Sequence, residues 1–429
     1  MKERIAIIDG LRTPFCKAYG IFNEVSADDL GAFAVKELLA RTSFPAHEID
    51  EVIFGNVALP IEAANIARVI ALKAGLSSSL IAHTVQRNCA SGMQSITAGA
   101  NALWADEAQV ILAGGAESMS QIPLIYSSKM ARFFFQLAKS KNIREKLKTF
   151  TTFRPSFLKP IIGLEKGLTD PMCNMIMGLT AEKLSREFHI TREEQDAFAL
   201  TSHHKGAAAH NDNLFKDEMI PVFTPPSYKI VQEKDDGIRS DQTRETLAKL
   251  KPYFNKYTGS VTIGNSCQVT DGAAAVIIMK ESTAKERGLK PLGYLRSYAY
   301  AALDGSRMGL GPVYSTAKLL DKTGLTLKDF DLIELNEAFA AQVLACEKAF
   351  GSIEFAKKFL GRTQAVGELP MDALNVNGGA IALGHPVGAT GTRLVITLLR
   401  ELRRRNKNRG LATLCVGGGQ GASLALEVE

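Results

Sequence analysis

Asn88-Cys89-Ala90-Ser91-Gly92-Met93 places a cysteine at a strand-to-helix joint. Upstream, His83-Thr84-Val85-Gln86 alternates like a short strand, and residues 94–104 downstream have helical composition with apolar residues three to four apart. The unit then recurs. Its first copy runs through the helix to the apolar strand 109–113 and Gly114-Gly115. Near the other end, Gly388-Ala389-Thr390-Gly391 opens a helix through Leu399, followed by Leu411-Ala412-Thr413-Leu414-Cys415 and Gly417-Gly418-Gly419. Small-residue turn, amphipathic helix, apolar strand and paired glycines at similar spacing predict two halves of one α/β architecture, with turns that meet at a shared face.

A thiol at the first turn of a helix faces unpaired N–H groups and the positive end of the helix dipole, which favours the thiolate. Small neighbours leave room for a substrate to reach the sulfur, as a nucleophile requires. A buried small residue in a tight helix–sheet contact fits this one segment equally well. Residues elsewhere must decide between them.

The chain has 429 residues, enough for a large core and two or three domains. Its six cysteines (16, 89, 173, 267, 346 and 415) show neither Cys-x-x-Cys nor His-pair spacing. That pattern argues against a disulfide framework or a zinc site and for a reducing compartment. Met1-Lys2-Glu3-Arg4 runs straight into the short strand Ile5-Ala6-Ile7-Ile8-Asp9, and no later apolar run reaches bilayer length. A cytoplasmic protein, or a mature mitochondrial one, is expected. The net charge of +6 is concentrated: between Ser127 and Lys166 stand ten Lys or Arg against two Glu, so the remainder is slightly acidic. No nucleic-acid motif accompanies this basic segment, so nucleic acid is not an expected partner.

Residues 122–258 carry more charge, more proline and longer helical stretches than their flanks, and read as an inserted, mainly helical domain. One helix spans about 177–188, and another starts at the capping box Thr191-Arg192-Glu193-Glu194. A further strand-like run is Val261-Thr262-Ile263. Within the basic segment 127–166, Met130, Phe133, Phe134 and Leu137 share one helical face. Ile143, Leu147 and Phe150 form a second stripe, and Ser140 and Asn142 mark the phase break. Two short amphipathic helices follow from this. They suit either an interfacial membrane contact or a hairpin packed on its own protein.

Gly378-Gly379-Ala380-Ile381-Ala382-Leu383-Gly384-His385-Pro386-Val387-Gly388 sets a lone histidine in a loop of small residues, a setting for proton transfer. Asn336-Glu337-Ala338-Phe339 follows the strand-like Leu332-Ile333-Glu334-Leu335, so Asn336 either stands at a strand end among functional groups or caps the next helix. Cys415 ends a strand before three glycines and is a second candidate thiol.

Taken together, Cys89-Ala90-Ser91-Gly92-Met93, Asn336-Glu337-Ala338-Phe339, Gly384-His385-Pro386 and Cys415-Val416-Gly417-Gly418-Gly419 resemble the four signature segments of the thiolases. Arg12-Thr13-Pro14-Phe15 and Met177-Gly178-Leu179-Thr180-Ala181-Glu182 also match, and the order is the same nearly end to end. The resemblance implies duplicated αβαβα layers: an N-terminal half at 1–121 completed by 259–282, an inserted loop domain at 122–258, and a C-terminal half at 283–429. It implies that Cys89 is the acyl-accepting nucleophile, His385 its base, and Cys415 the second acid/base. Asn336 would position an oxyanion-hole water beside His385, and the N–H groups of Gly417 and Cys89 would form a second hole. Met177 and Cys267 would touch the substrate. The implied reaction is thiolytic cleavage of 3-ketoacyl-CoA in fatty-acid β-oxidation, with CoA as co-substrate and no permanently bound cofactor or metal.

Within the family, the basic insert and Pro291-Leu292-Gly293-Tyr294-Leu295-Arg296-Ser297-Tyr298 look most like the β-subunits of fatty-acid oxidation complexes of the trifunctional type. That likeness implies medium- or long-chain substrates, a homodimer, a hydratase/dehydrogenase α-subunit as partner, and peripheral membrane contact through 127–166. Two departures stand out. Those subunits usually carry His where this chain has Asn336, and Cys267 replaces a Ser that touches the pantetheine arm in many thiolases. Biosynthetic acetoacetyl-CoA thiolases use the same residues in the condensing direction, but often show His where Ile176 stands. Ketoacyl synthases would pair Cys with two histidines, against the Asn336 and Cys415 motifs. The intact Cys89, His385 and Cys415 set argues against a silent membrane-binding scaffold subunit.

Overall fold

The computed structural model describes residues 2–429. The first half runs β1 (Ile5–Arg12), α1 (Ala27–Thr42), β2 (Glu51–Gly55), α2 (Ile66–Lys73), β3 (Ile81–Val85), α3 (Ser91–Trp104), β4 (Val110–Ser118) and, after the insert, β5 (Thr270–Lys280). The insert carries α4 (Ser128–Lys139), α5 (Ile143–Phe150), α6 (Met177–Glu187) and α7 (Arg192–Asn211). The second half repeats the order with β6 (Gly293–Ala302), α8 (Gly311–Thr323), β7 (Leu332–Leu335), α9 (Ala340–Gly351), α10 (Val387–Arg404), β8 (Arg409–Val416) and β9 (Gln420–Glu427). The counterpart of β3 is reduced to a parallel bridge between Leu374 and Ile333.

One sheet passes through both halves in the order β3-β2-β4-β5-β1-β6-β9-β8-β7, and Cys16–Lys17 pairs beside it on β5. Outward from the antiparallel β1–β6 seam, where Ile5 faces Leu295 and Ile7 faces Gly293, the order reads the same on both sides. The strand sequences explain the layering. Along β5, Ala273, Ala275, Ile277 and Met279 enter one core, and Ala274, Val276 and Ile278 enter another. Both faces of such a strand are buried, so it reads as a continuous apolar run. The outer core of the first half takes its helical residues from α1 and α2. The central core takes them from α3 and α10, and the outer core of the second half from α8 and α9. Helix, sheet, helix, sheet and helix therefore stack in five layers.

The central helices cross at glycines. A Cβ on Gly92 would stand 2.7 Å from Thr392 N, and one on Gly391 would stand 2.5 Å from Met93 N. Only hydrogen at these positions lets the two helix starts touch, and that brings both turns to one face.

Two local expectations change. Gly417, Gly418 and Gly419 make the β8–β9 turn, with φ of 88° at Gly418 and 78° at Gly419, but Gly114 and Gly115 lie inside β4. There the need is close approach, since a Cβ on Gly115 would meet Gly388 O at 2.0 Å. Val261-Thr262-Ile263 forms no strand. Asn265 Oδ1 accepts the Thr262 N–H (2.8 Å), and Thr262 Oγ1 accepts the Gly264 N–H (3.1 Å), so local side chains replace a ladder.

In the insert, the break between α4 and α5 falls at Ser140 and Asn142, whose Oδ1 caps Glu145 N at 3.0 Å. Met130 and Phe133 are buried, whereas Phe134, Phe135, Ile143, Leu147 and Phe150 are exposed. The capping box at Thr191 forms with both bonds. Leu184 and Ile190 join the outer core of the second half. A buried cation ties the insert to β1: Arg12 Nε lies 2.7 Å from Glu218 and its Nη1 2.7 Å from Asp235. Removing one partner of such a set strands the others and costs about 3–5 kcal/mol.

Candidate active site

Cys89 stands two residues before the first helical residue of α3, with Ala90 as N-cap, after Asn88 in the left-handed region at φ 43°. It thus precedes the first turn rather than sitting in it. His385 stands two residues before the start of α10, with Pro386 as N-cap. The nucleophile candidate and the base candidate occupy corresponding positions in the two halves. The glycine crossing of α3 and α10 brings both to the same cavity.

The hydrogen bonds of His385 fix its tautomer. Thr390 Oγ1 donates its one proton to Pro386 O (2.8 Å), so it accepts from His385 Nδ1 at 2.6 Å. Nε2 is left unprotonated, 3.5 Å from Asn336 Nδ2. The His385 N–H donates to Thr270 Oγ1 at 2.7 Å. Burial, helped by the Arg393 guanidinium, lowers the imidazole pKa to about 3, so the ring is a neutral base throughout the working range. Asn336 follows β7 directly, and its N–H donates to Thr413 O at 3.0 Å. Helix α9 starts at Ala340 with Phe339 as N-cap, so Asn336 is not the cap. Asn336 is buried, and its Oδ1 has no protein partner.

Cys415, the last residue but one of β8, is buried. Burial and the nearby thiols of Cys89, Cys346 and Cys267 push its pKa far up. The N–H groups of Gly417 and of Cys89 itself reach the Cys89 sulfur and favour its anion, but burial outweighs them and the thiol pKa is raised. This corrects the expectation of a thiolate stabilised by the helix start: the resting group is the thiol. A base must take its proton.

Cys89, His385, Cys415, Gly417, Met177 and Cys267 all line one cavity of about 440 Å³. Asn336 does not line it and stands behind His385. Phe254, Met308 and Phe339 add apolar walls, and Ile122, Ile125, Leu164 and Leu168 bring in the insert. The volume falls in the usual range of small-molecule sites, about 300–1,000 Å³. Met177 is the first residue of α6, its N–H bound to Leu168 O at 2.9 Å. Cys267 is held by Ala338 O (3.0 Å), and burial pushes its thiol up to about 12.

Sequence reading missed Thr390, Thr270, Asn88 and Glu117. Thr390 had a local signal, one turn into the helix that follows His385. Thr270 had none, being 115 residues from its partner. Asn88 Nδ2 donates to Gly417 O at 2.7 Å and so anchors the peptide that follows the Gly417 N–H facing the Cys89 sulfur.

A family model for the thiolase N-terminal domain matches residues 5–282, and one for the thiolase C-terminal domain matches 289–428. The chain belongs to the thiolase family. Two curated relatives named 3-ketoacyl-CoA thiolase, from Yersinia enterocolitica and Aeromonas salmonicida, are each 44% identical over 428 residues, covering 100% of this thiolase and 97% of the relative. Among solved structures, the Bacillus anthracis acetyl-CoA acetyltransferase matches with a TM-score of 0.87 at 36% identity, over 99% of both chains. Human mitochondrial 3-ketoacyl-CoA thiolase in complex with CoA matches with a TM-score of 0.85 at 36% identity, over 100% of this thiolase and 98% of the human chain.

Proposed function

We propose that this thiolase cleaves 3-ketoacyl-CoA with CoA to acetyl-CoA and an acyl-CoA shortened by two carbons, through an acyl-Cys89 intermediate. The observation that carries this reading is the meeting of one neutral imidazole, with its Nε2 free to accept a proton, and two thiols in a single apolar cavity. His385 Nε2 takes the Cys89 proton, and the sulfur attacks the 3-keto carbon. The N–H groups of Cys89 and Gly417 hold the oxyanion. Losing a donor of this kind costs on the order of 100- to 1,000-fold in rate. As the C2–C3 bond breaks, the acetyl-CoA enolate takes a proton from Cys415, with its thioester oxygen held by His385 and a water on Asn336. Cys415, left as a thiolate, takes the proton of a second CoA, whose sulfur attacks the Cys89 thioester. The shortened acyl-CoA leaves as His385 returns its proton to the Cys89 sulfur, which gives ping-pong kinetics.

The apolar cavity walls from Phe254, Met308, Phe339 and the insert support a medium- or long-chain acyl group. Condensation of two acetyl-CoA units uses the same residues in reverse and is the second reading, favoured by the acetyltransferase match. Thiolysis of 3-ketohexadecanoyl-CoA, 3-ketohexanoyl-CoA and acetoacetyl-CoA, followed by loss of the ketoacyl absorbance, tests both. Turnover of the two longer substrates is expected. Inactivity on all three overturns the function, and activity on acetoacetyl-CoA alone overturns the chain-length assignment.

The chain works as a cytoplasmic homodimer alongside a hydratase/dehydrogenase subunit and touches membrane through 127–166. No helix among the described residues is long and apolar enough to cross a membrane. The exposed Phe134, Phe135, Ile143, Leu147 and Phe150 among the cations of that segment support surface binding. Co-sedimentation with anionic liposomes should weaken with salt; no binding at low salt removes the membrane assignment.

A further inference from the structure

Glu117 is a buried carboxylate on the cavity wall that the mechanism above leaves idle. Its two oxygens are saturated by neutral donors. Oε1 accepts from Asn56 Nδ2 (3.1 Å) and Ala58 N (3.0 Å), and Oε2 from Val57 N (3.1 Å) and Gly388 N (2.9 Å). Burial raises the pKa of this carboxyl to about 7, and the four donors work against that by favouring the anion, because a protonated carboxyl would have to turn an O–H toward an N–H. No ion pair compensates this charge among the described residues, an arrangement that a fold keeps only under a specific demand.

The donors show what the demand is. Asn56, Val57 and Ala58 follow β2 in the first half, whereas Gly388 is the second residue of α10, three after His385. The carboxylate therefore bridges the halves and occupies the anion-binding end of the helix that the base immediately precedes and whose first turn holds it through Thr390. We propose that Glu117 is a positioning residue of this thiolase: it fixes the first turn of α10, and through it the His385 imidazole, against the Cys89 thiol. The inference rests on the thiolytic reading of the site.

Glu117→Gln tests it, because an amide turns two of its hydrogens toward N–H groups that now meet an acceptor. Three readouts on the full-length protein are needed: kcat and KM for thiolysis of 3-ketohexanoyl-CoA, thermal unfolding, and the pH profile of Cys89 alkylation by iodoacetamide, located by mass. The titratable groups around this pair are His385, Cys267 and Cys415 near Cys89, and Asp271 near Glu117. All are common to both proteins. A folded variant should lose at least about tenfold in kcat with KM within about twofold, as a small displacement of a reacting group does. Its alkylation curve should move to lower pH, because a carboxylate near Cys89 disfavours the thiolate. An unchanged kcat, or a loss that merely tracks the folded fraction with the alkylation curve unmoved, overturns the assignment. Should the variant not fold, Glu117→Asp keeps the charge but withdraws it by one methylene, and the same kcat-against-KM split is required of it. A wild-type protein that turns over no 3-ketoacyl-CoA overturns the thiolytic reading instead, and the alkylation comparison still reports on Glu117.

Discussion

The two halves place corresponding residues at the same three points and use them differently. Directly after the second strand stand Asn56 and Asn336, and two residues before the central helix stand Cys89 and His385. Gly55 pairs with Gly115 and Leu335 with Thr413, so two residues further on Glu117 corresponds to Cys415. In the first half Asn56 and Glu117 bond each other and the backbone, which turns them into scaffold around one reactive thiol. In the second half Asn336 and Cys415 make no such lattice, and they flank a base whose tautomer is fixed by Thr390. Duplication supplies a common face, and the number of hydrogen bonds each side chain spends on the fold decides whether it remains available for chemistry.

The comparison breaks most severely at Cys89. Cys89→Ala should lower kcat by on the order of 10⁴-fold or more, as loss of a nucleophile does. It should also abolish the acyl-enzyme mass seen on mixing wild type with substrate and no CoA; a variant with full thiolysis would move the nucleophile elsewhere. At the matching position, His385→Asn should cost roughly 10²- to 10⁴-fold in kcat. Because the folded imidazole titrates near 3 rather than its ordinary 6.5, wild-type kcat should show no imidazole limb between pH 5 and 8. Linkage gives the sign for stability. Below 6.5 the unfolded chain binds a proton at His385 that the folded chain refuses until about 3, so stability falls as pH falls through that window. Denaturant melts across the window should show part of this slope vanish in His385→Asn.

The asparagine pair sharpens the contrast. Asn336→Ala should cost about 100-fold in kcat through the lost oxyanion water. Asn56→Ala should act mainly on stability, by about 1–3 kcal/mol for the two acceptors, Ala116 O and Glu117 Oε1, that it strands. Steady-state rates and urea midpoints on the two variants separate these effects, and equal rate losses would erase the distinction between the halves. The smallest change is Gly92→Ala, whose methyl would lie 2.7 Å from Thr392 N. It should destabilise by about 1–3 kcal/mol through overpacking, read from the urea midpoint.

Much of this was legible in the chain. The recurring turn–helix–strand unit carried the doubled α/β architecture, because period and small-residue turns are local properties. The break at Ser140 and Asn142 and the capping box at Thr191 were equally local, each set by side chains within three or four residues. Legibility failed where a distant group changed the outcome. Gly114-Gly115 looked like the counterpart of the Gly417 turn, but the first pair lies in a strand against the backbone of α10. Val261-Thr262-Ile263 had strand composition and lost its ladder to Asn265 and Thr262 side chains.

By itself the sequence determined which residue types stand at each turn and strand end, since those are fixed by composition and spacing. Only the tertiary structure decided their states. Burial overrode the helix start and kept Cys89 a thiol, Thr390 selected the tautomer of His385, and four donors from two halves fixed the Glu117 carboxyl group on the cavity wall. Desolvation and hydrogen-bond partners belong to the assembled interior, and residues far apart in the chain supply them.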